Sequence, residues 1–255
     1  MLPELKGPYT PVPSGRGRVL RRTFRAVGQL HTRVSAANDS RVLGTSGGTA
    51  GTGVMVVDGD VLTRDGIRAI VACQSDLHLV AETVDMETAI EQLPALRPDV
   101  VFVEAWLASE NDGAAVRAML RALPTTKIIA FGLGRHEEEI FHALDAGVSG
   151  YVIRNSIKTE LVVAIDSVRL GRRYIPLQIH RVLKDRERRP SLTRRERGVL
   201  ELLAEARSNA TIAAVLGISI GTVKLHVKSI LAKLGVEDRA EAALVAMVRG
   251  FARVV

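Results

Sequence analysis

Carboxylates follow two apolar runs in the middle of the chain. Asp58 and Asp60 come just after the run at 54–57, and Glu104 comes directly after the run at 100–103. Carboxylates gathered in a crevice can hold a divalent cation, accept a phosphoryl group or act as an acid/base pair. Because no nucleophile stands beside them, we predict no catalytic residue. The two remaining possibilities are that these carboxylates bind a divalent cation or accept a phosphoryl group.

Other kinds of chemistry find little support in the residues. The six histidines lack metal-ligand spacing, and the repeated glycines of a phosphate-binding loop are missing after the run at 54–57. The single cysteine, Cys73, rules out a disulfide framework, and its apolar helical pattern predicts a position in the core. We therefore predict no metal site and no cofactor, and we consider Mg²⁺ only for the carboxylates above.

The carboxylates lie within a pattern of alternating strands and helices. Five short runs, VMVVD, LHLVAET, DVVFVEAW, KIIAFG and SGYVIR, alternate with amphipathic segments such as METAIEQLPALR. This alternation predicts an α/β fold in which helices cover both faces of a parallel sheet. Because the carboxyl ends of parallel strands form one crevice, Asp58, Glu104, Gly132 and Arg154 are predicted to meet there.

Taken in chain order, four motifs resemble a response-regulator receiver domain: VDGD at 57–60, RPDVVFVE at 97–104, PTTKIIAFG at 124–132 and AGVSGYVIR at 146–154. The resemblance implies a five-stranded, doubly wound, flavodoxin-like sheet. It also implies a phosphoacceptor Asp after the third strand and an acidic pair that holds Mg²⁺ after the first. A Ser or Thr is implied after the fourth strand and a Lys after the fifth.

The chain departs from that pattern at most of these positions, and only Asp58 agrees with the family. The replacements are Gly59 in the acidic pair, with Asp60 one place further on, Glu104 at the acceptor, Gly132 at the hydroxyl and Arg154 at the lysine. Since Gly132 has no side chain with which to sense a phosphoryl group, the usual relay to the next strand would be missing.

Three interpretations of this crevice remain open. A standing ion pair between Glu104 and Arg154 would hold the domain in one state without phosphorylation. Alternatively, the crevice has decayed and its charges are solvated, or Glu104 still accepts a phosphoryl group while Asp58 and Asp60 hold Mg²⁺. Tyr151 stands where the family carries an aromatic switch, or it packs on the sheet as a rim residue. We predict control that does not depend on phosphorylation.

The C-terminal residues, 191–255, are predicted to form helices, because their sequence contains typical N-cap residues and helix-ending glycines. Thr193 and Glu196 form a capping box before an apolar stretch, and Ser208 caps the next short helix. Gly217 ends that helix, and Ser219 caps a third one after a tight turn. The lengths are those of a helix-turn-helix unit that reads DNA.

The third helix has one apolar stripe and one face suited to a DNA groove. The residues of the apolar stripe recur at helical spacing: Val223, Val227, Ile230 and Leu234. The adjoining face carries Lys224, Leu225 and Lys228. Lysines can donate to guanine acceptors or to phosphates, and a leucine can contact a thymine methyl group.

Residues 192–242 resemble the LuxR-type helix-turn-helix of NarL/FixJ-like response regulators, with landmarks such as LTRRE at 192–196 and TVKLHV at 222–227. The resemblance implies that the helix at 219–234 enters the major groove of double-stranded DNA and that the last helix supports a homodimer. It also implies that Lys224, Leu225 and Lys228 contact bases or phosphates. Thr222 and the preceding helix start, Ser208 and Asn209, would position phosphates.

These patterns divide the chain into four parts. Residues 1–52 are basic and predicted to be a disordered arm, 53–175 form the receiver-like α/β domain, 176–190 a linker, and 191–255 an all-α, four-helix DNA-binding domain. The net charge of +7 comes from basic flanks around an acidic middle, which is typical of a nucleic-acid binder. With no signal peptide or membrane span, a cytoplasmic protein is expected.

The predicted function is therefore that of a DNA-binding transcriptional regulator of the two-component response-regulator type. Its control is expected to come from protein abundance, from a regulatory protein or from a small ligand at the receiver-like domain. Two alternatives remain. One is a receiver that still transfers phosphoryl groups through Glu104 with Mg²⁺, and the other is a pseudo-receiver that serves as a protein-interaction module.

Overall fold

A six-stranded sheet forms the first part of the protein. The computed structural model describes residues 41–42 and 51–252. The strands are β1 (Arg41–Val42), β2 (Thr52–Val57), β3 (Leu77–Thr83), β4 (Val100–Glu104), β5 (Lys127–Gly132) and β6 (Gly150–Ile153). Their order is β1-β3-β2-β4-β5-β6, with β1 antiparallel to β3 and every other pair parallel. The predicted five-stranded, doubly wound parallel sheet is confirmed, with β1 added at one edge.

Helices cover both faces of this sheet. The helices of this part are α1 (Val61–Ala72), α2 (Met86–Leu96), α3 (Ala105–Ala122), α4 (Glu137–Asp145) and α5 (Ile157–Arg169). Alternate strand residues point to opposite faces: Met55 and Val101 pack with α2, α3 and α4, whereas Val56 and Phe102 pack with α1 and α5. Because the central strands are buried on both sides, they consist almost entirely of apolar residues.

The end of β4 differs from the sequence-based prediction. The apolar run was expected to continue as a strand to Trp106, but β4 ends at Glu104 and α3 begins at Ala105. The Glu104 side chain caps α3 by accepting a hydrogen bond from the Leu107 amide at 3.3 Å. Since Glu is not a usual N-cap residue, no local signal marked this helix start. Within α3, the backbone leaves the helical conformation at residues 110–113.

The predicted linker at 176–190 contains a helix. Helix α6 (Leu177–Glu187) places Ile179 in the core of the receiver-like domain, where it is fully buried. The connection to the C-terminal helices is therefore partly packed against the α/β domain.

Four further helices form the C-terminal domain: α7 (Arg194–Ala204), α8 (Asn209–Leu216), α9 (Ile220–Leu234) and α10 (Arg239–Arg249). The capping box of Thr193 and Glu196 is present, and Ser208 and Ser219 cap α8 and α9 as predicted. Gly217 ends α8 with a φ of 63°. In each of these caps, the N-cap side chain accepts a hydrogen bond from the amide three residues later. Because the two residues are close in sequence, the helix starts could be predicted from local sequence alone.

Two further expectations differ from the structure. Arg41–Val42 forms β1 and Thr52 belongs to β2, so the predicted disordered arm over 1–52 does not hold at these residues, and residues 1–40 and 43–50 lie outside the described part. Cys73 is exposed and not in the core, because the helix ends before it and Cys73 is the C-cap residue of α1. Among the described residues, no single helix has the length and hydropathy needed to cross a membrane.

Candidate functional site

A cleft of about 390 Å³ lies at the carboxyl ends of the parallel strands. The structure places five of the predicted crevice residues on its lining: Asp58, Gly59, Asp60, Glu104 and Arg154. Apolar side chains, among them Trp106 and Leu107 from the start of α3, complete the wall. The predicted meeting of strand ends therefore brings the carboxylates and the arginine together.

The Arg154 guanidinium stands among three carboxylates. Its Nη1 atom lies 3.5 Å from Asp58 Oδ2 and 4.0 Å from Asp60 Oδ2, and its Nη2 atom lies 3.6 Å from Glu104 Oε1. Arg154 also donates a hydrogen bond to Thr63 Oγ1 at 2.7 Å, which fixes the direction of the side chain. The predicted contact between Glu104 and Arg154 is thus present, but Arg154 shares its charge with two aspartates.

Asp58 is the most buried carboxylate of this group. Its Oδ1 atom accepts a hydrogen bond from the Asp60 amide at 3.0 Å, while its buried Oδ2 atom has no hydrogen-bond partner within the part of the chain that the structure describes. Burial raises the pKa of Asp58 above its ordinary value, although the Asp60 amide and the Arg154 charge act in the opposite direction. The crevice therefore retains a carboxylate whose charge is poorly stabilised.

The residues do not fit the Mg²⁺ ion that the receiver family implies. Asp60 caps α1 by accepting hydrogen bonds from the Leu62 amide at 2.9 Å and from Thr63 Oγ1 at 3.1 Å. Glu104 caps α3, and the Arg154 guanidinium occupies the space between the carboxylates. No group of three or more His, Cys, Asp or Glu side chains in the described ranges could hold a metal ion. A fixed positive charge has taken the place where a divalent cation would be needed.

Gly132 and Tyr151 lie behind this crevice. A Cβ atom on Gly132 would lie 2.6 Å from the Tyr151 hydroxyl oxygen and 2.7 Å from Glu139 Oε1. Tyr151 is completely buried in the apolar core, so it is not a rim residue. Burial and the nearby Glu139 carboxylate raise the pKa of Tyr151 well above its ordinary value. The tyrosine therefore remains protonated and points inward, into space that a side chain at Gly132 would need.

The second candidate site is the exposed face of α9. Lys224, Leu225 and Lys228 are exposed, and Leu225 keeps 70% of its surface accessible. On the opposite side, Val223 and Ile230 are fully buried in the C-terminal core. An exposed leucine between two exposed lysines is the arrangement that the major groove can accept.

The other predicted phosphate-positioning residues are engaged in helix caps. The Thr222 amide and hydroxyl both bond to Ser219 Oγ, at 3.0 and 2.8 Å. Ser208 Oγ accepts a hydrogen bond from the Thr211 amide at 3.1 Å. Asn209 Oδ1 accepts one from Arg239 Nη1 at 3.1 Å, which ties α8 to α10. These residues set the orientation of the helices, and contact with phosphates stays a prediction for them.

Sequence reasoning identified Glu196 only as a cap, but the structure gives it a wider role. Glu196 Oε1 accepts a hydrogen bond from Ser229 Oγ at 2.6 Å, and Oε2 accepts one from Lys233 Nζ at 2.6 Å. Although burial alone would raise it, these donors and Thr193 lower the pKa of Glu196 to about 2. This carboxylate joins the start of α7 to the C-terminal half of α9, and no local pattern linked two residues 37 positions apart.

A second set of missed residues joins the two domains. Glu137 contacts Arg189 Nη1 at 2.6 Å and forms an ion pair with Arg249, and Glu138 accepts paired hydrogen bonds from Arg186 at 3.0 Å. Burial opposes the change, but hydrogen bonds from His142 and Arg186 lower the pKa of Glu138. The run of three glutamates at 137–139 was the signal in the sequence that could have indicated this interface.

A further contact lies at the break in α3. Arg197 Nη1 from α7 lies 2.7 Å from Asp112 Oδ1 and 2.6 Å from His142 Nε2. These residues line a second cleft, of about 740 Å³, between the α/β domain and the C-terminal helices. The two domains therefore meet through charged side chains on α3, α4, α6, α7 and α10.

Comparisons with known proteins agree with both halves of this description. The family model "Response regulator receiver domain" matches residues 54–166, and "Bacterial regulatory proteins, luxR family" matches residues 190–246. The response regulator protein VraR of Staphylococcus aureus is 30% identical over 198 residues, which cover 76% of this chain and 95% of VraR.

Two solved structures of RcsB are also similar. RcsB from Salmonella enterica serovar Typhimurium, bound to a promoter in the presence of the phosphomimetic BeF3−, is 25% identical with a TM-score of 0.55, covering 78% of this chain and 98% of that one. Two RcsB dimers bound to two parallel DNAs give 26% identity and a TM-score of 0.54, with the same coverage. The chain belongs to the response regulators in which a receiver domain is followed by a luxR-type domain.

Proposed function

We propose that the protein is a transcriptional regulator that binds double-stranded DNA through α9 and that its receiver domain acts without phosphoryl transfer. The observation that carries the first part is the exposed face of Lys224, Leu225 and Lys228 on a helix whose other side is buried. Both lysines can donate to guanine or phosphate, and the leucine supplies an apolar contact. RcsB, a related response regulator, is bound to DNA in its solved structures.

Independence from phosphorylation is supported by the crevice. Glu104 places a carboxyl group at the acceptor position, and its Oε1 atom lies 3.6 Å from Arg154 Nη2. Gly132 supplies no hydroxyl, and the residues do not fit Mg²⁺. Phosphoryl transfer needs a cation to neutralise the incoming charge, and the described crevice residues place the Arg154 guanidinium between the carboxylates that would hold one. We assign no enzymatic activity to the protein.

The protein is proposed to bind DNA as a homodimer through α10. Leu244 and Val248 lie four residues apart on one face of α10, with 58% and 60% of their surfaces exposed. Two exposed apolar side chains at this spacing suit pairing with the same helix of a second copy. RcsB, which is 26% identical, is bound to DNA as dimers, and this supports a dimer for the present chain.

We propose that DNA binding is controlled by the amount of protein, by a partner protein or by a small ligand at the receiver domain. The crevice of about 390 Å³ is the place where such a ligand would bind. The alternative is a protein whose receiver domain only binds other proteins and whose DNA binding is incidental. We favour it less, because it does not explain the exposed face of Lys224, Leu225 and Lys228 on α9.

The test is a selection of bound fragments from a genomic DNA pool by the full-length, untreated protein at two salt concentrations. We expect enrichment of a sequence motif that persists at the higher salt concentration. The double variant Lys224→Ala/Lys228→Ala should lose it. Lys158→Ala/Lys184→Ala, which removes two exposed lysines outside the luxR-type domain, is the matched control and should keep it. Equal loss in both double variants, or no motif with the wild type, would overturn the proposal.

A further inference from the structure

The chain that follows α10 runs to the receiver crevice. Gly250, the C-cap residue of α10, has a φ of 81°, and a Cβ atom on it would lie 2.7 Å from His136 Cβ. Glycine permits both this backbone conformation and this close approach. His136 and Ala252 both line the cleft of about 390 Å³ at the ends of the parallel strands. Since Ala252 is the last residue that the structure describes, the described chain reaches the crevice wall.

The crevice contains more carboxylates than cations. Its described lining has one arginine, Arg154, and four carboxylate side chains: Asp58, Asp60, Glu104 and Glu139. Arg154 lies 3.5 to 4.0 Å from three of them, which is longer than a direct hydrogen bond. The fourth, Glu139, lies 3.2 Å from His136 Nδ1. The buried Arg64 donates to the Asp58 backbone oxygen at 2.6 Å and is not part of the lining. A second cation would therefore be stabilised in this cleft.

Asp58 presents an unused acceptor at this cleft. Only 3% of its surface is exposed, and its Oδ2 atom has no hydrogen-bond partner in the described ranges. Arg154 Nη1 lies 3.5 Å from this oxygen and donates instead to Thr63 Oγ1 at 2.7 Å. A buried acceptor without a donor costs free energy. This oxygen therefore favours a donor that enters from the cleft.

Residues 253–255 follow Ala252 directly and have the chemistry that this cleft favours, although they lie outside the described part of the chain. Their sequence is Arg-Val-Val. Consecutive Cα atoms are about 3.8 Å apart, so Arg253 begins one step beyond the crevice wall. Its planar guanidinium can pair with carboxylates, and the valines match the apolar residues of the lining, which include Val84, Leu107 and Leu133. Because the segment is joined to this wall, its effective concentration is high and a weak contact suffices.

We propose that residues 253–255 bind in the receiver crevice of the same chain. The Arg253 guanidinium pairs with Asp58 and Asp60, and the two valines pack on the apolar wall. We call this segment the plug. The plug shields the crevice, and a small ligand has to displace it before binding there. The inference deepens the proposed function and rests on it in one respect, because it takes the crevice as one that holds neither Mg²⁺ nor a phosphoryl group.

The test uses Trp106, the one tryptophan of the sequence, which lines the crevice. Acrylamide quenching of its fluorescence is measured in the full-length wild type, in Arg253→Ala and in Arg172→Ala. Arg172 is an exposed arginine of the receiver domain outside the crevice lining, so this variant is the matched control. We expect the quenching constant to rise about twofold in Arg253→Ala, because loss of the ion pair lets the plug leave the crevice. It should stay unchanged in Arg172→Ala, and wild-type quenching in Arg253→Ala overturns the proposal.

A double-mutant cycle tests the partner of Arg253. If the guanidinium pairs with Asp58, the variant Arg253→Ala/Asp58→Asn should be quenched no more than the more strongly quenched single variant. Additive effects would overturn the pairing. Trp106 also lines the larger cleft between the domains, so hydrogen exchange of α4 is measured on the same proteins. Wild-type exchange in Arg253→Ala supports loss of the plug alone, whereas faster exchange in α4 would assign the exposure of Trp106 to separation of the domains and overturn the proposal.

Two other occupants of the crevice would give different results. If the quenching of the wild type changes with protein concentration, the segment in the crevice comes from a second copy. If the native mass spectrum of the wild type shows a retained small molecule, the crevice holds a ligand. Either result would overturn the plug.

Failure of the plug can be told apart from failure of the proposed function. The same wild-type preparation is incubated with acetyl phosphate and Mg²⁺, and its mass is measured. Addition of a phosphoryl group would contradict phosphorylation independence whatever the quenching data show. Equal quenching of Arg253→Ala and the wild type, with no added phosphoryl group, would overturn the plug alone.

Discussion

Two buried carboxylates in this protein have opposite surroundings. Glu196, in the luxR-type domain, accepts hydrogen bonds from Thr193, Ser229 and Lys233, and its pKa falls to about 2. Asp58, in the receiver crevice, has one backbone donor and an arginine 3.5 Å away, and burial raises its pKa. The first charge is stabilised by direct donors, whereas the second has one backbone donor and an arginine that also faces Asp60 and Glu104.

The difference shows how the two domains use charge. In the luxR-type domain, the buried carboxylate ties the start of α7 to α9, the helix that we propose contacts DNA. In the crevice, the carboxylates surround Arg154, and two of them, Asp60 and Glu104, cap α1 and α3. The comparison predicts opposite responses when the two charges are removed.

The largest expected effect is that of Glu196→Ala. Loss of the carboxylate leaves Lys233 and Ser229 without their acceptor, and we expect the free energy of unfolding to fall by about 3 kcal/mol. Urea unfolding followed by circular dichroism measures the change. Glu205→Ala is the control, because Glu205 is exposed and pairs with the exposed Arg207 at 3.0 Å, and it should cost less than about 0.5 kcal/mol. Equal losses would contradict the role of Glu196.

The second expected effect is a dependence of stability on pH. Because the pKa of Glu196 is about 2 in the folded state and 4.5 ordinarily, its contribution is fully present above pH 4.5 and is lost as the pH falls towards 2. The contribution is at most about 3 kcal/mol. Unfolding of the wild type and of Glu196→Gln across this range should therefore converge in acid. A stability difference that stays constant from neutral pH to pH 2 would refute this assignment.

The third expected effect concerns DNA binding. Lys224→Ala should weaken specific binding by about 1 to 3 kcal/mol if the lysine contacts a base. Fluorescence anisotropy with a selected fragment measures the affinity, and Lys158→Ala, with an exposed lysine on the receiver domain, is the control. Unchanged affinity in Lys224→Ala would remove this residue from the contact surface.

The smallest expected effect has the opposite sign. Asp58→Asn removes a charge that burial disfavours, so we expect stability at neutral pH to be unchanged or higher by up to about 1 kcal/mol. Since the raised pKa means that Asp58 is neutralised before an ordinary aspartate, this gain should vanish as the pH falls. Asp65→Asn, on the exposed side of α1, is the control. A loss of more than about 1 kcal/mol in Asp58→Asn would show that Asp58 is a stabilising group like Glu196.

The parts of the fold that local sequence signals control were predicted correctly. The caps at Thr193, Ser208 and Ser219 are contacts between residues three apart, and strand ends in a parallel sheet meet by topology. Pairings between distant elements were not predicted. Glu137 and Arg249 are 112 residues apart, and no local sequence pattern indicates that these two residues form a pair. The burial of Tyr151 likewise depends on the space above Gly132, which only the packed structure reveals.

The most direct test of the central claim is the DNA affinity of the full-length protein before and after incubation with acetyl phosphate and Mg²⁺, with the protein mass measured on the same samples. We expect the same dissociation constant in both states and no added phosphoryl group. Tighter binding together with a phosphoryl group on Glu104 would contradict it and would show that the crevice still performs the chemistry of its family.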